Sequence, residues 1–425
     1  MASMRSNGDR IKRFRELKAT LRTQRDRLLV GIDIAKAQHV AQLRVAHGQI
    51  VVPKVGIPNT TAGFAAFWRQ VQTAQRTTGC AEIVCAVEPT GTYHEALGRF
   101  LEQHGADVVL VANQVAHANR RTLDGTWGKS DPKDAHNLCE LLERGLVLFY
   151  SLPEGPLAAL RRLVRLLRRA RVERAACKVR WRNTLRPCLG PAGEPLPAAV
   201  LAQLPAAVQA FERPEDAGTG SRPRARRPVP LPPGFAAECT DLTARLTAAA
   251  RRIATLEAAL VQVATPLPAY LLLLSLPGVG PTLAAILLAE IGDIAWYTKV
   301  SQLRKLAGLD IIWVESGQWA GTPRISRAGR PLLRWALYQA ALGATKRPAW
   351  RARRAALIAK RQGDRFAFFK ATVELAAKLL RLVWGVWRSG RPYDPARVEA
   401  RPVPARGGTA RRGRALGPRQ PAPRD

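Results

Sequence analysis

From Leu28 onward the chain runs as short β-branched and apolar stretches separated by turns, LLVGIDI, HVAQLRV and QIVVP, and then as strand text alternating with helix text. The helix-like TTAGFAAFWRQVQTAQ precedes EIVCAVE, followed by HEALGRFLEQHG, DVVLV and DPKDAHNLCELLERG. Runs of this length, rich in Val and Ile and bounded by Gly, Pro, Asn and Asp, read as strands, and the longer segments between them carry the helical period. Three strands followed by alternating helix and strand describe an α/β domain built on a mixed sheet.

Two of these strands end on acids: Asp33 closes LLVGID and Glu88 closes EIVCAVE, while Asp131 and Asp134 stand three apart in KSDPKDA. The whole chain carries 67 Lys and Arg against 32 Asp and Glu, these four included, a net charge of +35, so a gathered set of carboxylates is no generic solvated surface. If KSDPKDAHNL opens a helix, Asp131 and Asp134 share one face, and Pro132 suits its first turn. The C-terminal ends of strands are where an α/β sheet presents groups to a ligand. Hard divalent cations such as Mg²⁺ take oxygen ligands, and phosphodiester chemistry commonly uses two such ions. Taken singly, each acid has an ordinary reading: Asp131 as a helix cap, Asp33 as a strand-end turn residue, Glu88 as the partner of a surface Lys. All four together, in this order on these elements, make a Mg²⁺ site, with two ions, the expectation.

Charge of this size suits a polyphosphate partner, so nucleic acid is the expected ligand. Binding to a membrane would call for an anchor, and no run of about 18 apolar residues is present. The longest apolar stretch, residues 270–276, is broken at Pro277, and residues 5–27 are charged throughout, unlike a secretory signal. A cytoplasmic protein is expected. Cys80, Cys85, Cys139, Cys177, Cys188 and Cys239 show neither a CxxC pair nor a nearby His spacing, which supports neither a zinc site nor a disulfide framework.

Composition divides the chain further. Residues 1–27 form a basic, helical N-terminal arm with no deep apolar stripe, and residues 28–155 the α/β domain. Residues 156–265 read as a basic, coiled-coil-like helical connector: a long helix over 157–189 pairs with a second over 236–263, around a flexible Pro- and Arg-rich loop at 212–234. The first helix carries Arg161, Arg165, Arg168 and Arg180 in a ladder of like charge, which an anion would neutralise, so these residues are expected on nucleic acid. Trp181 among them reads as a core or interface residue. Residues 266–390 form a compact helical domain and 391–425 a disordered basic tail. In PGVGPTLAA, Gly278 and Gly280 between apolar helices have the look of a helix-hairpin-helix turn whose backbone amides meet a phosphate, or equally of a plain loop between core helices.

GIDIAK, AVEPTGTYHEAL and KSDPKDAHNLCELL resemble the RuvC-like domain of the insertion-sequence one-ten family of DEDD transposases. LLLLSLPGVGPTLAAILLAEIGD, LRKLAGLD, ESGQWAG and RISRAGRPLLRWALYQAAL resemble its C-terminal transposase domain, so the resemblance covers about residues 28–190 and 265–390. It implies an RNase H-like fold with Asp33, Glu88, Asp131 and Asp134 as metal ligands, and a second domain supplying a nucleophilic serine. The family's Ser-Gly motif falls on Ser316-Gly317; Ser326, beside Arg324, Arg327 and Arg330, is the second candidate, since a serine attacking phosphate needs its charge neutralised. Lys129 and Lys133 flank the acid pair as expected phosphate contacts, and Tyr93 is expected to pack at the Glu88 strand end.

The resemblance further implies DNA as substrate, a structured noncoding RNA encoded by the element as guide, and a homo-oligomer, dimer or tetramer, because strand exchange needs more than one active site. The arm, the Pro/Arg loop, Asp310 in GLD and the long tail depart from the family pattern. Two other readings stay open: a structure-selective endonuclease that uses water in place of a serine, and a non-catalytic nucleic-acid-binding remnant.

Overall fold

Six strands make the sheet of the first unit: β1 (Arg27–Asp33), β2 (Gln38–Val45), β3 (Ile50–Pro58), β4 (Glu82–Val87), β5 (Asp107–Leu110) and β6 (Leu148–Phe149), in spatial order β3-β2-β1-β4-β5-β6. The first three pair antiparallel, β4 and β5 join β1 in parallel, and β6 returns antiparallel against β5. Chain connection explains the mixture, because tight turns deliver antiparallel neighbours and helical crossovers deliver parallel ones. The computed structural model describes residues 7–89, 91–123, 131–185, 234–313, 315–316, 319–320 and 323–396, and the chain separates into two compact units, Met1–Pro153 and Glu154–Asp425.

Alternation along the strands gives the sheet two dry faces. Leu28, Val30 and Ile32 of β1, with Cys85 and Val87 of β4, pack against Phe64, Phe67, Trp68 and Val71 of α2 (Thr61–Thr78) and Leu97 and Leu101 of α3 (His94–Gln103). Leu29, Val84, Ala86 and Val109 point the other way. They meet Leu17 of α1 (Asn7–Thr20) with the following Leu21, Ala116 of α4 (Asn113–Arg120), and Leu138, Leu141 and Leu142 of α5 (Asp131–Glu143). Thr60 caps α2 by accepting from Gly63 N at 3.1 Å, and Gly79 ends it at φ 68°.

One expectation fails here. The N-terminal arm carries a deep apolar stripe: Leu17 and Leu21 are each 1% exposed, Phe14 packs against the same core, and Ile11 is also buried. Its charges are structural as well, with Arg13 bridging Glu82 of β4 at 2.5 Å and Asp107 of β5 at 2.8 Å. The stripe escaped the sequence because Lys and Arg hold the positions between its apolar residues and mask the period. Helix α4 and strand β6 were not read either; NQVAHANR lacks a sustained apolar repeat, and a two-residue strand has no period at all.

The second unit opens with two long helices, α6 (Gly155–Leu185) and α7 (Phe235–Ala264), which pack antiparallel: Thr184 donates to Glu238 at 2.9 Å and Arg171 meets Glu257 at 2.5 Å. There follow α8 (Pro268–Leu274), α9 (Pro281–Ile291), α10 (Val300–Ala307), α11 (Pro331–Ala344), α12 (Pro348–Ala359) and α13 (Ala367–Ser389). One continuous core joins Leu160, Val164 and Leu167 of α6 to residues 284–289 and Ile291 of α9 and to Leu375, Leu379 and Val383 of α13. Trp181 is 6% exposed, a buried residue as its setting suggested. Between α10 and α11 lie two short antiparallel pairs that the sequence did not announce, β7 (Ile311–Ile312) with β10 (Arg324–Ile325), and β8 (Glu315–Ser316) with β9 (Trp319–Ala320). Among the described residues no single helix is long and apolar enough to cross a membrane. Most of the expected loop at 212–234, and the tail beyond residue 396, lie outside the described residues.

Candidate active site

Register brings the first two acids together. Ile32 of β1 pairs with Val87 of β4 in a parallel ladder, so the next residues along, Asp33 and Glu88, are cross-strand neighbours about 5 Å apart in their backbones. By the alternation of the strands, both leave the sheet on the face that α5 covers.

The seat of α5 is set by a glycine. A Cβ built on Gly31 would stand 2.2 Å from the carbonyl oxygen of Ala135 and 3.0 Å from the amide of Cys139, so only the absent side chain lets the helix backbone settle on β1. Gly31 and Asp33 are two residues apart on one face, and Ala135 follows Asp134 directly. The far half of the helix is pinned over β2, where Arg44 meets Glu140 at 2.7 Å and Glu143 at 3.0 Å, and His47 N donates to Glu143 at 2.8 Å. Helix α5 therefore runs against the direction of β1, and its first residue, Asp131, lies at the sheet edge where Asp33 and Glu88 end. Cys139, buried under the same contact, has its thiol pushed up to about 12 by burial.

Asp134 is 3% exposed. Its carboxylate meets Arg120, the last residue of α4, whose other guanidinium nitrogen is 4.0 Å from Glu88. Sequence reasoning missed Arg120, because NQVAHANR gave no helix and hence no reason to aim its Arg at the acids. Neighbouring polar groups hold α4 to α5: Asn119 donates to Asn137 at 2.8 Å, and Arg144 donates to Asn119 at 2.7 Å. Asp33 and Glu88 thus end adjoining strands and Arg120 reaches both Glu88 and Asp134, while among the described residues no group of three acids, His or Cys is close enough to hold a metal ion. The side chain of Asp131, and Lys129, lie outside the described residues, and Lys133 is half-buried on α5. Tyr93 does not pack as expected; it is 39% exposed, at the position just before α3.

In the second unit Ser316 sits on β8, paired with Trp319, in a hairpin whose base is closed by β7 and β10; its side chain and Gly317 lie outside the described residues. Ser326 follows β10, and its hydroxyl donates to Asp310 at 2.5 Å while its amide donates to the Asp310 carbonyl at 2.8 Å. That places the departure Asp310 in a structural clamp at the hairpin base. Arg327 takes a left-handed φ of 55°, packed where Gly308 and Gly329 let three chain segments touch.

Several residues expected on nucleic acid are engaged inside the fold. Arg161 donates to Ala289 O at 3.0 Å and Arg330 donates to Glu290 O, so both satisfy the end carbonyls of α9, where unpaired C=O groups and the helix dipole favour cations. Burial, with the charge of Arg330, lowers the Arg161 pKa to about 10. Gly278 turns at φ 75°, and a Cβ there would strike Ala340 O at 2.1 Å and Ala344 N at 2.3 Å, so the missing side chain lets this turn pack directly on α11. Gly280 is open, with nothing within 4 Å of a built Cβ. Arg165, Arg168, Arg180, Arg324 and Arg327 are exposed.

A six-stranded mixed sheet whose adjoining strand ends carry acids defines an α/β protein, and its net charge of +35 is the electrostatic footprint that suits a polyphosphate partner. Residues 30–189 match the family model described as a transposase of the DEDD, IS110 type, and residues 270–356 match that described as the transposase IS116/IS110/IS902 family. The 44.8 kDa protein of insertion element IS116 from Streptomyces clavuligerus is 26% identical over 406 residues, which take in 88% of this chain and 98% of that protein. The chain belongs to the IS110/IS116/IS902 family of insertion-sequence transposases, and its role is transposition, with DNA as the substrate.

Proposed function

We propose that the protein cuts and rejoins DNA strands at a site formed by Asp33, Glu88, Asp131 and Asp134, with Ser316 as the attacking hydroxyl and a transient phosphoserine link between protein and DNA. The observation that carries this reading is the register of β1 and β4, which sets Asp33 beside Glu88 while Gly31 seats Asp134 over the same strand ends. The donor set fits Mg²⁺: carboxylate oxygens from separate rigid elements, one of them buried. When bound there, two such ions would neutralise charge on the scissile phosphate and steady the attacking and leaving oxygens. The chain's own contribution is placement. Strands fix Asp33 and Glu88, α5 carries Asp131 and Asp134 on one face, and Arg120 balances the buried charge of Asp134.

Attack by Ser316 breaks the bond from phosphorus to the leaving oxygen, forms a phosphoserine ester and releases a strand end bearing a hydroxyl. A second hydroxyl then displaces the serine and rejoins the strand. The rigid base of the hairpin, clamped by Ser326 and Asp310, favours Ser316 over Ser326 as nucleophile, since the Ser326 hydroxyl already has a fixed structural partner. The N-terminal domain takes the RuvC-like, RNase H-type role. The paired α6 and α7 act as a coiled-coil-like connector whose exposed Arg165, Arg168 and Arg180 meet phosphate, and α8 with α9 acts as a helix-hairpin-helix-like element through Gly280. A noncoding RNA of the element as guide, and a dimer or tetramer as the working form, complete the proposal; the net charge of +35 supports holding more than one nucleic acid strand.

A supercoiled plasmid carrying the element's junction tests it. Ser316→Ala is expected to abolish both strand transfer and the covalent protein–DNA adduct, and Asp33→Asn or Glu88→Gln to abolish cleavage altogether. Undiminished cleavage by Ser316→Ala, without an adduct in the wild type, would assign the chemistry to water.

A further inference from the structure

Three phenylalanines stand in solvent where the chain enters α13: Phe366, Phe368 and Phe369 are 47%, 42% and 57% exposed. Single exposed apolar residues are ordinary, but adjacent aromatic rings form a patch that calls for a partner. They are not surplus core, because Ala367, Ala371 and Thr372 of the same helix already fill its inward face at 9%, 0% and 0% exposure. The rings are already arranged with cations. The Arg365 guanidinium lies 4.5 Å from the Phe366 centroid and that of Arg354, from α12, 4.9 Å from Phe368, while Phe368 and Phe369 meet edge to face at 5.9 Å.

The platform is also held still. Asp364 accepts from Phe366 N at 2.8 Å and from Lys370 Nζ at 2.7 Å, and Arg361 is ion-paired to Glu374 one turn further on. From Lys346 to Lys370 the sequence holds nine Lys and Arg and one acid, Asp364. A second copy of this chain would bring the same positive charge against it. An occupant must therefore combine flat apolar faces with a negative backbone, and guanidinium-stacked rings are the surface on which unpaired bases stack.

We propose that Phe366, Phe368 and Phe369, with Arg354 and Arg365, form a stacking platform for unpaired nucleobases of single-stranded nucleic acid. The platform extends the proposed function without depending on the carboxylates or Ser316: strand cleavage can fail in an acid-site variant while base stacking persists, and the reverse.

The test uses the full-length protein and 2-aminopurine-labelled single-stranded oligonucleotides, DNA and RNA in separate arms, in anisotropy and quenching titrations. A triple Phe→Leu variant keeps the apolar area and removes the aromatic faces. It is expected to bind about tenfold to a hundredfold more weakly, with 2-aminopurine quenching lost and the slope of log affinity against log salt unchanged. A triple Phe→Tyr variant is expected to bind like wild type. The arm with the larger loss identifies DNA or RNA as the strand that occupies the platform. Wild-type affinity and quenching in the leucine variant, equal loss in the tyrosine variant, or a change of sedimentation with single-strand binding intact would each overturn the proposal, the last by making the patch an interface between copies.

Discussion

Replacing Gly31 by alanine should separate the seat of α5 from everything else the first unit does. The new methyl would lie 2.2 Å from Ala135 O, against about 3.4 Å for ordinary contact, and also 2.9 Å from Cys139 Sγ, so the helix must retreat by about 1.2 Å. The nearest obstacle is helix backbone, and a rotamer change cannot relieve it. Overpacking of this kind costs about 1–3 kcal/mol, read in urea unfolding as a lower midpoint at unchanged slope. The same retreat carries Asp134, and a misplacement of about 1 Å at reacting groups costs about 100-fold in rate. Plasmid cleavage should therefore fall about two orders of magnitude in a protein that is still folded. Gly385→Ala is the control: its Cβ meets nothing within 4 Å, its φ is not positive, and in the interior of α13 it should stabilise, by up to about 1 kcal/mol, with cleavage unchanged. A wild-type unfolding midpoint for Gly31→Ala would refute the packing of α5 on β1. A lowered midpoint with full cleavage would instead refute the assignment of chemistry to the acids that α5 carries.

Arg120→Gln removes an ion-pair partner of a carboxylate that is 3% exposed and should destabilise by about 3 kcal/mol; Asp134→Asn in the same chain should recover much of the loss, and Mg²⁺ should raise the melting temperature of Arg120→Gln more than that of wild type. Equal Mg²⁺ shifts would show that Arg120 and the ion do not share Asp134. Ser326→Ala and Asp310→Ala should each slow strand transfer, and the double variant should do no worse than the slower single one, because one clamp is lost either way; additive effects would mean separate roles. The Cys139 thiol, held up to about 12 from 9.0 in the folded state, stays protonated where the unfolded chain has released its proton. Stability should therefore be unaffected by this group below pH 9 and lose about 1.4 kcal/mol per pH unit from it between about 9 and 12; Cys139→Ala should lessen the alkaline slope in urea titrations by that amount and leave the part due to Cys85, whose thiol burial also pushes up.

The sequence by itself carried the strand and helix text of the first unit, down to the acids at the ends of β1 and β4 and the proline that opens α5, because period and turn chemistry are local. It also carried the family, since motif order survives without geometry. What it could not carry were facts that depend on which surfaces meet. Arg161 and Arg330 looked like members of an exposed basic array, yet both cap the end of α9, whose unpaired carbonyls are visible only once three helices are assembled. Gly278 looked like a phosphate-binding turn and is a contact with α11; Gly31, unremarked within LLVGIDI, is the point on which α5 rests. The N-terminal arm looked like a charged appendage, and its Leu17 and Leu21 close the core behind β1 and β4. Arg120 had no local signal, for its importance lies in reaching a carboxylate that enters the chain only fourteen residues later. Local pattern fixes which element a residue occupies; the tertiary structure decides what that element touches, because burial and close approach belong to pairs of elements far apart in the chain.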